Sequence, residues 1–181
     1  RKFSIELLEE YIIINIKCSK TFWNNLSTNP SIFYFFWIMI KYIIVIILLL
    51  VLDIIWLSVN ANQYSKMIKS IQNKEIKINI TYALFTYVLM IASIIFINIP
   101  FIESKIKKTD SKTEIIKKSL LYSGLLGLCI YGVYSGTNLA VFENYDIGLG
   151  LKDTLWGFIL YTIVTTTYFL IAWLLKLVIV I

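Results

Sequence analysis

The stretch from Gly124 to Ala140 reads Gly-Leu-Leu-Gly-Leu-Cys-Ile-Tyr-Gly-Val-Tyr-Ser-Gly-Thr-Asn-Leu-Ala. It is apolar enough to cross a membrane, yet it carries two tyrosines, a threonine and an asparagine. On a helix, four of these residues fall on one stripe: Gly127, Tyr131, Tyr134 and Asn138. Gly132 and Gly136 form a small-xxx-small pair on a different face. The segment is therefore expected to contact other helices on at least two sides.

The composition of the whole chain indicates an integral membrane protein. Of the 181 residues, 59% are hydrophobic and 15% are charged, whereas about a quarter of the residues in a soluble domain are charged. The net charge is +6, but the basic residues lie beside apolar segments and form no single patch. We therefore expect no nucleic-acid partner. The expected partner is the lipid bilayer, and a second copy of the chain or other membrane proteins are further candidates.

Several kinds of chemistry lack the residues that they need. The chain has no His, and its two cysteines, Cys18 and Cys129, are far apart. This excludes His-based acid–base catalysis, Cys/His zinc sites and a disulfide framework. Phosphate-binding glycine loops are also absent. We predict no metal, no cofactor and no catalytic residue, and we expect a piece of a longer protein or a processed product.

Four apolar segments are long enough to span a bilayer, at about residues 31–59, 80–99, 119–141 and 153–181. Helices satisfy their own backbone in lipid, so we predict one all-α membrane domain, a four-transmembrane-helix bundle over residues 31–181. Residues 1–30 have the spacing of an amphipathic helix, with a β-strand through Ile12–Ile16 as the alternative. Tyr64, Met67, Ile68 and Ile71 predict a short interfacial helix between the first two spans.

The distribution of lysine predicts the orientation. Twelve of the 17 Lys and Arg residues fall on the side that holds both termini and the loop after the second span. Because basic residues are retained on the cytoplasmic side, both termini are predicted to be cytoplasmic. These residues predict an integral, multi-pass protein without specifying which membrane contains it.

Topology brings polar residues of different spans into one leaflet, on the side away from the termini. Odd-numbered spans end where even-numbered spans begin, so residues late in the first and third spans meet residues early in the fourth. The candidate ligand-binding or proton-binding residues are Asp53, Trp56, Tyr131, Tyr134, Thr137, Asn138, Asp153 and Trp156. The predicted helix-packing residues are Gly127, Gly132, Gly136 and Gly157.

Asp53 is the first candidate among these residues. An acid inside a span costs a few kcal/mol, and such acids usually face the interior of a bundle. Asp53 must therefore be hydrogen-bonded by polar neighbours, be reached by Lys152, or be protonated. A purely architectural role has equal weight, because polar side chains often hold membrane helices together. For the other candidates, Trp56 and Trp156 could equally be interfacial anchors, and Asp153 could be a helix start.

The sequence contains the pattern D-x-x-W twice, at Asp53–Trp56 and Asp153–Trp156. On a helix, a spacing of three puts the acid and the indole on neighbouring sides. The two spans run in opposite directions, so the pattern is not evidence of a simple parallel duplication.

With these residues, the chain resembles the predicted four-span membrane proteins of domain of unknown function 2177, from about Ile43 onwards. The resemblance is carried by Asp53–Leu57 with Tyr64, by the glycines, aromatics and polar residues of the third span, and by Asp153–Gly157. It implies a four-helix fold with a shared polar cluster. It implies no activity.

Three functions are compatible with these features. The first is binding or transport of a small ligand or a proton at a buried polar–aromatic cluster. The second is a structural or accessory subunit of a larger membrane assembly. The third is an intramembrane enzyme that uses Asp53 and Asp153 as an acid/base pair, and this hypothesis ranks lowest because neither a strong nucleophile nor a metal site is evident.

Overall fold

The computed structural model describes residues 30–107 and 109–174, with only the backbone described for residues 30–35. The predicted amphipathic segment and the end of the predicted fourth span, at residues 1–29 and 175–181, lie outside this range. The chain divides into two compact units, one up to Ile40 and one from Lys41 onwards. The described part of the first unit is helical, and the candidate residues all belong to the second.

The described residues form helices and no strands. The helices are α1 (Pro30–Val59), α2 (Ala61–Gln72), α3 (Ile80–Ala92), a π-helical segment (Ser93–Asn98), α4 (Ile99–Glu103), α5 (Lys112–Val141) and α6 (Ile147–Leu174). Four stretches are long and apolar enough to cross a membrane: Phe36–Val59, Ile80–Glu103, Lys112–Val141 and Ile147–Leu174. The prediction of an all-α polytopic membrane protein is thereby confirmed.

Large apolar side chains cover the outer surface of these helices, as expected for contact with lipid. Ile47, Phe85, Phe96, Val133 and Leu155 are examples of exposed apolar residues on the four candidate spans. The interior holds a second set of apolar and aromatic residues. Its buried members are Val45, Leu49, Met90, Ile94, Ile99, Ile102, Ile115, Leu160, Tyr161, Val164, Tyr168 and Phe169.

The second span continues past Pro100, where the sequence predicted its end. The π-helical segment joins α3 to α4 without a break, and the N–H of Ile99 donates to the carbonyl of Ile94. Pro100 lies at the junction of the π-helical segment with α4, and because it has no N–H it donates no hydrogen bond to the preceding turn. The helix ends three residues later, at Glu103.

The helices α5 and α6 make the closest contact in the bundle. A Cβ atom on Gly127 would collide with the carbonyl group of Gly157, so only glycine fits at this crossing. Three residues earlier on α5, a Cβ atom on Gly124 would collide with the ring of Phe158. This close approach holds the polar residues of α5 against those of α6.

The start of α6 also differs from the predicted start at Asp153. The helix begins at Ile147, and Asp146 Oδ1 accepts a hydrogen bond from the N–H of Leu149 at 3.0 Å, as an N-cap residue does. Asp153 therefore does not start the helix. It lies in the second turn, with a carboxylate that is free to contact other helices.

The amphipathic helix α2 packs on the loop between α5 and α6. Its buried residue, Met67, forms a small core with Tyr145 and Leu149. Gln63 donates to Asp146 Oδ2 at 3.0 Å. The helix ends at Gln72 and is capped by Asn73, whose left-handed conformation (φ 54°) suits a helix C-terminus. These contacts place α2 over the end of the bundle that holds Asp53 and Asp153.

Candidate functional site

Asp53 is the point at which four helices meet. Its side chain is buried, with 6% of the residue exposed. Oδ1 accepts hydrogen bonds from the Tyr131 hydroxyl of α5 at 2.9 Å and from Trp156 Nε1 of α6 at 3.0 Å. Oδ2 accepts one from the Tyr87 hydroxyl of α3 at 3.0 Å. Every donor is a neutral side chain, so the carboxylate joins α1 to α3, α5 and α6 through hydrogen bonds alone.

Asp153 has a second set of aromatic donors, from α1 and α2. It is 3% exposed, and its Oδ1 accepts hydrogen bonds from Trp56 Nε1 at 2.9 Å and from the Tyr64 hydroxyl at 2.5 Å. Tyr64 belongs to α2, outside the spans. Burial and the hydrogen bond to the Asp153 carboxylate both raise the pKa of Tyr64 above its ordinary value, so this hydroxyl keeps its proton and acts as a donor.

The two D-x-x-W patterns contact each other reciprocally. Trp56 donates to Asp153, and Trp156 donates to Asp53. The two indole rings stack between the carboxylates, with ring centroids 4.7 Å apart and an interplanar angle of 4°. Each tryptophan thus bonds the aspartate of the other helix. This exchange fixes both the rotation and the register of α1 relative to α6.

Both aspartates line a single cavity of about 330 Å³. Its walls are mostly apolar and aromatic side chains from α1, α2, α3, α5 and α6. The lining residues are Asp53, Trp56, Leu57, Tyr64, Ala83, Thr86, Tyr87, Met90, Ile130, Tyr131, Tyr134 and Asp153. Leu57 and Tyr134 are themselves exposed on the outer surface, so the cavity opens sideways between helices at the depth of the spans.

A line of polar contacts continues from this cavity along the inner face of α6. Tyr161 shares a hydrogen bond with Ser93 at 2.8 Å, and Asn98 donates to Thr165 at 3.0 Å. Ser93 and Asn98 are the first and last residues of the π-helical segment. One turn further, Tyr168 accepts from Lys41 Nζ at 3.3 Å.

Glu103 completes the far end of this line, where Tyr168 donates to its Oε1 at 3.1 Å. Lys41, 5% exposed, also lies over the Tyr168 ring, 4.5 Å from its centroid. Lys41 is therefore committed to the opposite end of the bundle from Asp53.

Two loop acids have pKa values below their ordinary range. The pKa of Asp146 is lowered first by the hydrogen bond from Gln63 and then by the N–H of Leu149. The pKa of Asp110 is lowered by the backbone N–H of Lys107 and by its ion pair with Lys118. Both carboxylates stabilise loops through their charged forms.

The structure brings five of the eight predicted residues together, places a sixth at the rim of their cavity and separates the other two. Asp53, Trp56, Tyr131, Asp153 and Trp156 form the connected cluster, and Tyr134 lies at the rim of the cavity. Thr137 and Asn138 do not line it. The Thr137 hydroxyl donates to the carbonyl of Val133 on its own helix.

The four predicted packing glycines differ in environment. Gly127 and Gly157 lie at the closest crossing of α5 and α6, and a Cβ atom on Gly132 would lie 3.4 Å from Thr154. Gly136 is exposed, and no described atom of another residue lies within 4 Å of the position of a Cβ atom there. The Gly132–Gly136 pair therefore contacts another helix at only one of its members within the described residues.

Sequence reasoning missed two members of the site, Tyr64 and Tyr87. The sequence places Tyr64 in an interfacial helix and among the residues that carry the resemblance, but does not make it a candidate site residue, and it gives no role to the Tyr87 hydroxyl on α3. A tyrosine two turns inside an apolar span, in the leaflet of Asp53, was the available signal for Tyr87. Lys152, considered as a partner of Asp53, instead donates to Gln63 Oε1 at 3.1 Å on the surface.

No group of three His, Cys, Asp or Glu side chains in residues 30–107 and 109–174 is placed to hold a metal ion. The two carboxylates and their phenol and indole donors remain as the chemically distinctive groups. Together they can accept hydrogen bonds or attract positive charge inside an apolar cavity.

The chain matches a known family over most of its length. A family model described as "Predicted membrane protein (DUF2177)" matches residues 38–170, which include all four candidate spans in large part. Neither a curated protein nor a solved structure matches the chain significantly.

Proposed function

The chain belongs to the DUF2177 family of predicted membrane proteins, and we propose that its bundle binds a small, membrane-dissolved ligand in the cavity between Asp53 and Asp153. One observation supports this function most strongly. Two nearly buried carboxylates from different spans line one cavity of about 330 Å³ whose other walls are largely apolar. Small-molecule sites commonly combine apolar walls with a few convergent polar groups in this way.

The sideways opening suggests how a ligand would enter. The rim residues Leu57 and Tyr134 lie on the outer surface of α1 and α5, where the bundle meets lipid. A ligand dissolved in the bilayer could reach the cavity from this side without crossing water. Transport of the ligand, or of a proton, would also require the cavity to open at a second place at another time. Transport is therefore an extension of the binding proposal.

Filling the cavity provides the direct test. Ala83 lines the cavity, whereas Ala140 is an exposed residue of α5 outside it. Protein in lipid nanodiscs would be titrated with single-chain amphiphiles that carry an amine, alcohol or carboxylate head group. We expect at least one of them to bind saturably and to raise the unfolding temperature of the wild type and Ala140→Phe, but not of Ala83→Phe. Equal binding by both variants would contradict a site in this cavity.

A structural role in a larger assembly is the second candidate, because Asp53 receives three hydrogen bonds from three helices. Such a carboxylate can serve to hold the bundle together. The open surface at Gly136 would then contact a second copy of the chain or another membrane protein. Under this alternative, Asp53→Asn lowers stability or assembly and removes no separable activity. Purification as a monodisperse protein without a partner would count against it.

An acid/base enzyme remains the third candidate, since both carboxylates line the same cavity. It ranks below the others because the cavity offers no strong nucleophile beside them.

The distribution of lysine supports an orientation in which both termini are cytoplasmic. Cysteine labelling from each side of the membrane, in the loops around Lys74 and Lys107, would test this arrangement.

A further inference from the structure

The charge balance of the cavity identifies the class of ligand that would fit it. Asp53 and Asp153 bond to phenols and indoles only, and an indole N–H can only donate. Both aspartate Oδ1 atoms are therefore acceptors. Among the described residues, neither aspartate forms an ion pair with a lysine. The site thus has carboxylates without a cation of its own.

The two lysines that could have supplied the charge are engaged elsewhere. Lys41 donates to Tyr168 near the other end of α6, and Lys152 donates to Gln63 on the surface. Buried charges in proteins are normally paired. An incoming cation would complete the pairing that the chain leaves open.

Asp153 presents a specific acceptor for such a cation. Its Oδ1 already takes two hydrogen bonds, but its Oδ2 accepts none from the described part of the chain. The residue is 3% exposed and lines the cavity. A bound N–H group in the cavity would therefore satisfy this unpartnered oxygen.

The walls suit an organic cation better than a metal ion. Trp56, Tyr64, Tyr87, Tyr131 and Tyr134 supply aromatic rings, whose faces attract positive charge. Leu57, Met90 and Ile130 add apolar surface that a hydrated inorganic ion would not use. Hard metal ions prefer several carboxylate ligands, and the described residues include no cluster of three His, Cys, Asp or Glu side chains placed to hold one.

We propose that the cavity between Asp53 and Asp153 binds an organic monocation, an ammonium head group with an apolar body, with Asp153 Oδ2 as the acceptor of its N–H. This inference rests on the proposed function, because it names the ligand class of the same cavity. The apolar body would lie along Leu57 and Ile130 toward the sideways opening. The ammonium group would lie among the aromatic rings.

The test compares three probes of equal chain length, octylamine, octanol and octanoate, on the unaltered protein in nanodiscs of zwitterionic lipid at pH 7. Binding is measured as saturable change in tryptophan fluorescence and as shift of the unfolding temperature. We expect octylamine to bind at least about tenfold more tightly than the other two, a difference of about 1.4 kcal/mol. Asp153→Asn should lose about the same factor for octylamine, while Glu143→Gln, on an exposed loop, keeps wild-type binding.

The outcomes separate this inference from the proposed function. Tighter binding of octanol or octanoate, blocked by Ala83→Phe, overturns the cationic class and keeps the cavity as a ligand site. Saturable binding of none of the three probes contradicts both. The comparison of the three head groups uses only the wild-type protein, so it tests the cationic ligand class even if Asp153→Asn does not fold. A folded Asp153→Asn with wild-type affinity for octylamine overturns the role of Asp153.

Discussion

Trp56 and Trp156 lie face to face, 4.7 Å between ring centroids, and each donates its indole N–H to the aspartate that accompanies the other. The contact contains one hydrogen bond in each direction and a shared aromatic stack. Because each tryptophan bonds across to the other helix, the four side chains act as one unit that joins α1 to α6. Loss of a tryptophan leaves a buried aspartate with one donor fewer, and loss of an aspartate leaves a half-buried indole N–H without its acceptor.

Trp56→Phe should destabilise the bundle by about 1–3 kcal/mol, because it keeps an aromatic ring in the stack but leaves the buried Asp153 with only the Tyr64 hydroxyl as a donor. Trp156→Phe should have a similar effect through Asp53. Because the two residues share one unit, the double variant should cost less than the sum of the two single variants. Unfolding in mixed micelles would measure this, with Trp173→Phe on the exposed end of α6 as the control. Strictly additive effects would contradict a coupled unit.

Gly127→Ala and Gly157→Ala should each destabilise the protein by about 1–3 kcal/mol or more, since overpacking forces the α5–α6 crossing apart. Each new methyl group would meet backbone or the Tyr131 ring, neither of which can easily move away. Gly136→Ala is the matched control on the same helix. Its methyl group has free space, so the higher helix propensity of Ala should leave stability unchanged or slightly raised. Similar losses in all three variants would refute the assigned crossing.

The stability of the protein should fall in acid partly through Asp146. Its pKa is lowered in the folded state by Gln63 and the N–H of Leu149, so its charged form stabilises the folded state. This contribution is present above the pKa of the unfolded state and is lost as the pH falls below about 4 toward the folded-state pKa. Asp146→Asn keeps an N-cap acceptor but does not titrate. Unfolding between pH 6 and pH 3 should therefore show a smaller pH dependence for this variant than for the wild type.

Asn98→Leu should cost about 0.6 kcal/mol, up to about 1.7, which is the range found for hydrogen bonds between membrane helices. The change removes the contact of the π-helical segment with Thr165, and Thr165→Val removes the same bond from the other side. A double-mutant cycle on unfolding free energy would isolate the pair. No coupling between the two positions would show that the contact contributes nothing to stability.

The sequence predicted the helices and the leaflet of the site, but not the partners of each side chain. Asp53, Trp56, Asp153 and Trp156 could be placed at one depth because successive spans alternate in direction. Their bonds could not be assigned, because spans that are apolar on most faces give little indication of helix rotation. The reciprocal exchange and the Tyr87 contact depend on that rotation.

The residues that the sequence misplaced have local explanations. Thr137 and Asn138 lie in the last turns of α5, beyond the part that Gly127 and Gly157 hold against α6. Asp153 was a candidate helix start because an acid suits the N-terminal end of a helix, yet Asp146 caps a helix that begins at Ile147, six residues before the predicted start. A single capping residue can therefore determine where a helix begins, and a start predicted from composition alone can be wrong by a full turn or more.

The π-helical segment keeps the interior residues of the second span on one face of the helix. In an α-helix, residues four apart drift by about 40° around the axis, so an interior stripe at Met90, Ile94 and Asn98 would soon rotate toward lipid. The wider turn at Ser93–Asn98 keeps all three buried. It compensates for the drift around the helix axis, so that the part of the helix that lines the cavity and the part that contacts Thr165 both face the interior. Deleting one residue there should turn the two parts out of phase, whereas substitutions on either side leave the other in place.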